Sequence, residues 1–127
     1  MDVSRSPASI VSRLDPWAPP VVLMAIIFVL SAQPDLSTGL GVWDVVGRKL
    51  VHASEYALLC LLWWRAFRTL TTARRAIALA ALVSVAYSAT DEVHQLFVHG
   101  RHGTPVDVAI DAVGIALTSL LVARRTC

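Results

Sequence analysis

Ionisable side chains that suit acid–base or binding chemistry recur at helical spacing within apolar stretches of the chain. His52, Glu55 and Tyr56 stand at i, i+3 and i+4, and Asp107 and Asp111 stand one turn apart. A helix turns about 100° per residue, so each set lies on one helical face. A carboxylate beside a histidine supplies the groups that general acid–base catalysis uses. Placing an ionisable side chain in an apolar span costs free energy, so such residues are usually found where a function needs them.

A third apolar stretch ends in a polar run whose members also share a face. These residues are Ser84, Tyr87, Ser88, Asp91 and Gln95, with His94 at the edge and Glu92 further round. The acid or base candidates, none with an assigned catalytic role, are His52, Glu55, Asp91 and Glu92. The binding candidates are Lys49, Tyr56, Gln95, Arg101, Asp107 and Asp111. Lysine and arginine among them suit a phosphate-bearing head group, because charge-assisted hydrogen bonds to phosphate are strong.

Structural roles stay open for several of these candidates. Glu55 can serve simply as the i, i+3 partner of His52, and Asp107 can serve as the N-cap of the last helix. The adjacent acids at 91–92 point in different directions, so one of them can pair with Arg101 while the other faces the site.

Metal and cofactor chemistry lacks a recognisable motif. His52, Glu55, Asp91 and His94 carry donor atoms that suit zinc, but the chain has neither H-E-x-x-H nor paired C-x-x-C spacing. It also lacks a G-x-S-x-G elbow, a Walker loop and a G-x-G-x-x-G turn. We therefore predict no metal site and no cofactor.

The amino-acid composition indicates whether these residues lie in a soluble protein or in a membrane protein. Of 127 residues, 56% are hydrophobic and 16% are charged, whereas soluble domains carry about 25% charged residues. High hydrophobicity excludes a disordered chain, and two cysteines exclude a disulfide scaffold. The net charge of +2 argues against a nucleic-acid partner. We predict an integral membrane protein whose partner is the lipid bilayer.

Four segments are long and apolar enough to be membrane spans, which need about 20 residues each. They lie at about 16–33, 49–67, 76–98 and 106–123. We predict one all-α domain over residues 1–127, a four-helix transmembrane bundle of the multi-pass type. Its three polar faces turn toward one another, because facing acids and bases lower the cost of burying charge.

The lysine and arginine distribution predicts the orientation of the bundle. With the N-terminus inside, eight basic residues are cytoplasmic: Arg5, Arg13, Arg65, Arg68, Arg74, Arg75, Arg124 and Arg125. Three lie outside: Arg48, Lys49 and Arg101. Both termini are therefore predicted to be cytoplasmic, with outer loops at about 33–47 and 99–105. The polar residues then fall in the outer half of the membrane.

Three spaced patterns in the chain resemble the VanZ-like family. They are Lys49-x-x-His52-x-x-x-Tyr56-x-x-Leu59, Asp91-Glu92-x-x-Gln95-x-Phe97-Val98-x-Gly100-Arg101 and Asp107-x-x-x-Asp111-x-x-Gly114. The segment Leu30-Ser31-Ala32-Gln33-Pro34 also looks like the end of that family's first span, and the resemblance runs from about residue 20 to 122. The chain departs from the family where it has Arg48 instead of the usual acid, Asp111 instead of the common Asn, and His99 instead of the frequent Pro.

The resemblance implies a small polytopic bacterial membrane protein. The family's founding member is linked to resistance to the glycopeptide teicoplanin, so we expect a role in the cell envelope or in glycopeptide tolerance, with a lipid-linked or glycopeptide ligand. Three alternatives stay open: a membrane-embedded enzyme acting on a lipid-linked substrate, a small proton-coupled transporter, and a partner subunit of another membrane protein. The sequence leaves the oligomeric state open.

Overall fold

Residues 16–32, 39, 41–97 and 105–126 are described by a computed structural model of the chain. Within these ranges the chain forms α-helices and no strand: α1 (Ala18–Ser31), α2 (Val42–Phe67), α3 (Ala73–Gln95) and α4 (Pro105–Thr126). The prediction of an all-helical protein is confirmed for this part of the chain. Arg101 and most of the two predicted outer loops lie outside the described residues.

Local chemistry explains where the helices begin. Prolines at the first helical positions of α1 need no N–H partner there, and α4 likewise begins at a proline. Thr72 caps α3 by accepting a hydrogen bond from the backbone nitrogen of Arg75 at 3.4 Å. Gly41 precedes α2 with a φ of +61°, a left-handed conformation that favours glycine. As a result α2 begins at Val42, well before the apolar segment that the sequence indicated.

Cross-helix contacts establish the directions of the helices. Lys49 contacts Asp107 near the start of α2 and α4, and Thr118 donates to the Ala57 carbonyl further along both, so these two helices run parallel. Tyr87 donates to the Met24 carbonyl, and Ser31 donates to Asp91 further along the same two helices. The helices α1 and α3 therefore also run in the same direction. Neighbours in the chain are therefore antiparallel, and polar residues of all four helices share one end of the bundle.

The backbones of α2 and α4 approach each other closely at Gly114. A Cβ on Gly114 would overlap the carbonyl oxygen of Ala53 and would lie 3.2 Å from its carbonyl carbon. Only glycine permits this approach, which small residues typically provide between membrane helices. The buried apolar core is Ile27, Tyr56, Leu59, Cys60, Ala80 and Ile115.

The outer surface of the bundle is strongly apolar. Large aliphatic side chains stand exposed on every helix, for example Val21 at 56%, Leu58 at 47%, Leu82 at 67% and Leu120 at 61%. Contiguous exposure of this kind suits contact with lipid or with another apolar surface. By length and composition, α3 and α4 can each cross a membrane, whereas α1 is a shorter apolar helix of 14 residues. That all four helices span the membrane remains a prediction.

Candidate functional site: a polar cluster between the helices

The carboxylate of Asp91 is the point on which three helices converge. Asp91 in α3 is 3% exposed. Ser31 at the end of α1 donates to its Oδ2 at 2.8 Å, and the Tyr56 hydroxyl of α2 donates to the same oxygen at 3.3 Å. Gln95, one turn beyond Asp91, places its Nε2 at 3.5 Å from Ser31 Oγ. The carboxylate therefore fixes α1 and α2 against α3.

Asp111 is a second buried carboxylate and joins α3 to α4. It is 1% exposed, and Ser88 Oγ donates to its Oδ2 at 2.8 Å. Asp91 is one of its charged neighbours. Within the described residues, the Oδ1 atoms of both Asp91 and Asp111 receive no hydrogen bond. Leaving a buried carboxylate oxygen without a donor is costly, so these atoms give the site unused acceptor capacity.

An ion pair marks the open margin of this site. Lys49 Nζ lies 2.6 Å from Asp107 Oδ1, and the side chains are 38% and 25% exposed. The contact ties the first turn of α4 to α2. Asp107 stands inside that first turn, where a negative charge also complements the helix dipole. We call Ser31, Lys49, Tyr56, Ser88, Asp91, Gln95, Asp107 and Asp111 the polar cluster.

The remaining candidates lie around this cluster in different environments. His52 and Glu55 are partly exposed, and the Nδ1–Oε2 distance of 4.0 Å is too long for a hydrogen bond. Glu92 is buried at 7% exposure. The ring of His94 stacks on Phe28 of α1, with centroids 4.3 Å apart, and so packs against an apolar side chain.

Two hydroxyl donors of the cluster were absent from the sequence-based set of binding residues. Ser88 lies on the polar stripe of α3, but its bond to Asp111 depends on how α4 docks. Ser31 is 60 positions from its partner Asp91, so no helical periodicity relates them. The only sequence signal for Ser31 is its place in the Leu30–Pro34 segment that resembles the family pattern.

The charge balance of the site favours ligands that donate hydrogen bonds. The cluster contains the carboxyl groups of Asp91, Asp107 and Asp111, and Glu55 is close enough to interact electrostatically with Asp91 and Asp111. Lys49, the cation expected to hold a head group, is already engaged by Asp107, so an anionic group would have to compete for it. Within the described residues no three His, Cys, Asp or Glu side chains are grouped so as to hold a metal ion.

Comparison with known proteins gives one family match. A family model described as VanZ/LLP1 matches residues 17–125, a range that contains the whole polar cluster. Comparison with curated proteins gives no match, and neither does comparison with solved structures.

Proposed function

Because the chain belongs to the VanZ/LLP1 family, we propose that it is a multi-pass protein of the cell membrane whose polar cluster faces outward and serves the cell envelope. The observation that carries this proposal is the convergence of α1, α2 and α3 on the buried carboxylate of Asp91. Packing alone does not require such a group, and buried ionisable residues in membrane proteins mark functional sites by default.

The orientation part of the proposal rests on the charges at the two ends of the bundle. All acids of α2, α3 and α4 lie toward the end that holds the polar cluster, and the arginines of these helices, apart from Arg48, lie toward the other end. Because basic residues are retained on the cytoplasmic side, the cluster is proposed to face outward and both termini to face inward. The α1 helix is about 21 Å long at 1.5 Å per residue, which is short for a hydrocarbon core of about 30 Å. It would span by local thinning of the bilayer or by extension through its flanking residues.

The ligand is proposed to be an amphiphile that approaches from the outer surface, either lipid-linked or a glycopeptide of the teicoplanin type. Because the free acceptor atoms of Asp91 and Asp111 are buried, the helices would have to part at the polar cluster before hydrogen-bond donors of the ligand could meet them. The apolar part of the ligand would lie along the exposed aliphatic surface. Binding of this kind lowers the effective amount of the ligand at the membrane surface. The expected phenotype is therefore reduced susceptibility to teicoplanin.

The decisive experiment measures teicoplanin susceptibility in a host expressing the intact chain, Asp91→Asn, Thr90→Ala or no chain, at matched membrane abundance. Thr90 is the matched control because it is exposed and its hydroxyl, among the described residues, donates to the Ala86 carbonyl of its own helix. The intact chain and Thr90→Ala are expected to raise the inhibitory concentration several-fold, and Asp91→Asn is expected to lose most of this gain. Equal susceptibility of all four strains would contradict the proposal.

A second candidate function is catalysis on a lipid-linked substrate. The partly exposed side chains of His52 and Glu55, beside the buried cluster, favour this function. One of the two groups could act as general base and the other as general acid. Deletion of the chain should then change the profile of lipids and cell-wall precursors, and His52→Gln should reproduce that change. An unchanged profile in a strain that still loses teicoplanin tolerance would reject catalysis and keep the binding role.

Transport and a subunit role are separated by two further observations. Proton-coupled flux in proteoliposomes of the purified chain would favour a transporter. Recovery of one stoichiometric membrane partner, with no protection by the chain in a host lacking that partner, would favour a subunit.

A further inference from the structure

The end of the bundle opposite the polar cluster is uniformly basic. We call its six arginines the basic end: Arg65, Arg68, Arg74, Arg75, Arg124 and Arg125. The sequence contains no Asp or Glu between Glu55 and Asp91 and none after Asp111. All six arginines are exposed. They meet at one end because α2 and α4 finish there and α3 begins there.

Aromatic side chains form a layer directly beside the basic end. Trp17 packs edge-on against Trp63 and Phe67, with ring centroids 6.2 and 5.7 Å apart. The guanidinium carbon of Arg68 lies 4.6 Å from the centroid of the Trp64 ring, a cation–π contact that limits the side chain's freedom. Tryptophan is typical of the membrane–water interface, where one part of the ring is apolar and another is polar.

The local electrostatics of the basic end are unfavourable without an anionic partner. Arg74 and Arg75 occupy the first turn of α3, where the helix dipole is positive, and that turn contains no acid. Leu70, 73% exposed, lies between Arg68 and Arg74 in the turn that joins α2 to α3. A surface that combines exposed cations, ordered tryptophans and an exposed leucine is complementary to a group with negative charge and an acyl chain.

We propose that the basic end binds the head groups of anionic phospholipids, with Arg68, Arg74 and Arg75 as the principal contacts. Guanidinium groups bind phosphate in a bidentate manner, and Arg68 is held in place by Trp64. The tryptophan layer and Leu70 place the contact at the depth of the head groups. This inference concerns the opposite end of the molecule and does not depend on the function proposed for the polar cluster.

The test uses the full chain in nanodiscs that contain equal amounts of phosphatidylglycerol and phosphatidylethanolamine. The protein is released into mild detergent, and the retained lipids are counted by native mass spectrometry. The wild-type chain is compared with R68Q/R74Q/R75Q, with the charge-preserving R68K/R74K/R75K, and with R48Q, which removes one arginine at the other end. The melting temperature of each variant shows whether it is folded.

Wild type and R48Q are expected to retain phosphatidylglycerol several-fold over phosphatidylethanolamine. The glutamine triple should lose most of this preference, because a cation near an anionic lipid surface contributes up to about fivefold in affinity. The lysine triple should keep a clear preference, since its charge is unchanged. Equal retention of the two lipids by wild type would overturn the proposal, and so would full retention of phosphatidylglycerol by a folded glutamine triple.

Discussion

The two ends of the bundle place charge in opposite ways. At the polar cluster, Asp91 and Asp111 are almost completely buried and depend on hydroxyl donors from other helices. At the basic end, six arginines are exposed to the surroundings of the bundle. A buried charge is stable only when its partners are positioned, whereas an exposed charge needs little positioning. Substitutions should therefore affect stability at the cluster far more than at the basic end.

The largest effect is expected at the helix contact beside the cluster. Gly114→Ala places a Cβ against the Ala53 carbonyl, so α2 and α4 must separate, and we expect a loss of about 3 kcal/mol in the free energy of unfolding. Gly47→Ala is the matched control, because a Cβ at this position would meet none of the described residues within 4 Å. It should be neutral or stabilising by about 0.5 kcal/mol. Unfolding by sodium dodecyl sulfate in mixed micelles measures both, and equal stability of the two variants would show that the close approach is dispensable.

The next effect concerns the donors of Asp91. Ser31→Ala removes the shorter hydrogen bond to this carboxylate, and we expect a loss of about 2 kcal/mol, because hydrogen bonds to charged groups contribute more than neutral ones. Ser54→Ala makes the same chemical change at an exposed serine whose hydroxyl, within the described part of the chain, donates to the Leu50 carbonyl of its own helix. That control should change stability by less than about 0.5 kcal/mol. A Ser31→Ala protein as stable as the control would show that the hydrogen bond from Ser31 to Asp91 does not stabilise the fold.

The Lys49–Asp107 pair is an intermediate case, since it belongs to the polar cluster but both of its side chains are partly exposed. A double-mutant cycle with Lys49→Met and Asp107→Asn should give a coupling free energy of only about 0.5 kcal/mol, in the range of exposed ion pairs. Salt should weaken it further. A coupling free energy of about 2 kcal/mol that does not change with salt would mean that water is excluded from the pair to the same degree as from Asp91.

The smallest effect is expected from Asp111→Asn. The asparagine carbonyl can still accept the hydrogen bond from Ser88, and the substitution removes one negative charge beside Asp91. The free energy of unfolding should therefore stay within about 0.5 kcal/mol of wild type or rise. Asp111→Leu, which keeps a similar size but loses the acceptor, leaves the Ser88 hydroxyl unsatisfied and should be clearly less stable in the same titration. Equal loss of stability in both variants would show that the charge of Asp111 is itself required.

The general class of the protein can be read from the amino-acid sequence alone. Apolar stretches with a low charge content predicted helices, the helical spacing of Asp107 and Asp111 placed them on one face, and the Lys49, Asp91 and Asp107 patterns indicated the family that the match over residues 17–125 confirms. These inferences succeed because hydrophobicity and helical periodicity are local properties, readable within a few turns of chain.

Contacts between side chains of different helices could not be predicted from the sequence. Ser31 bonds Asp91 across 60 positions, Lys49 pairs with Asp107 across 58, and His94 stacks on Phe28 instead of joining the cluster. The start of α2 at Val42 also followed from the backbone at Gly41 and not from the apolar pattern. The physical reason is that periodicity gives the face of a residue on its own helix, whereas a partner depends on the rotation and height at which separate helices dock. In this bundle that docking is defined by the glycine contact between α2 and α4 and by the buried carboxylate of Asp91.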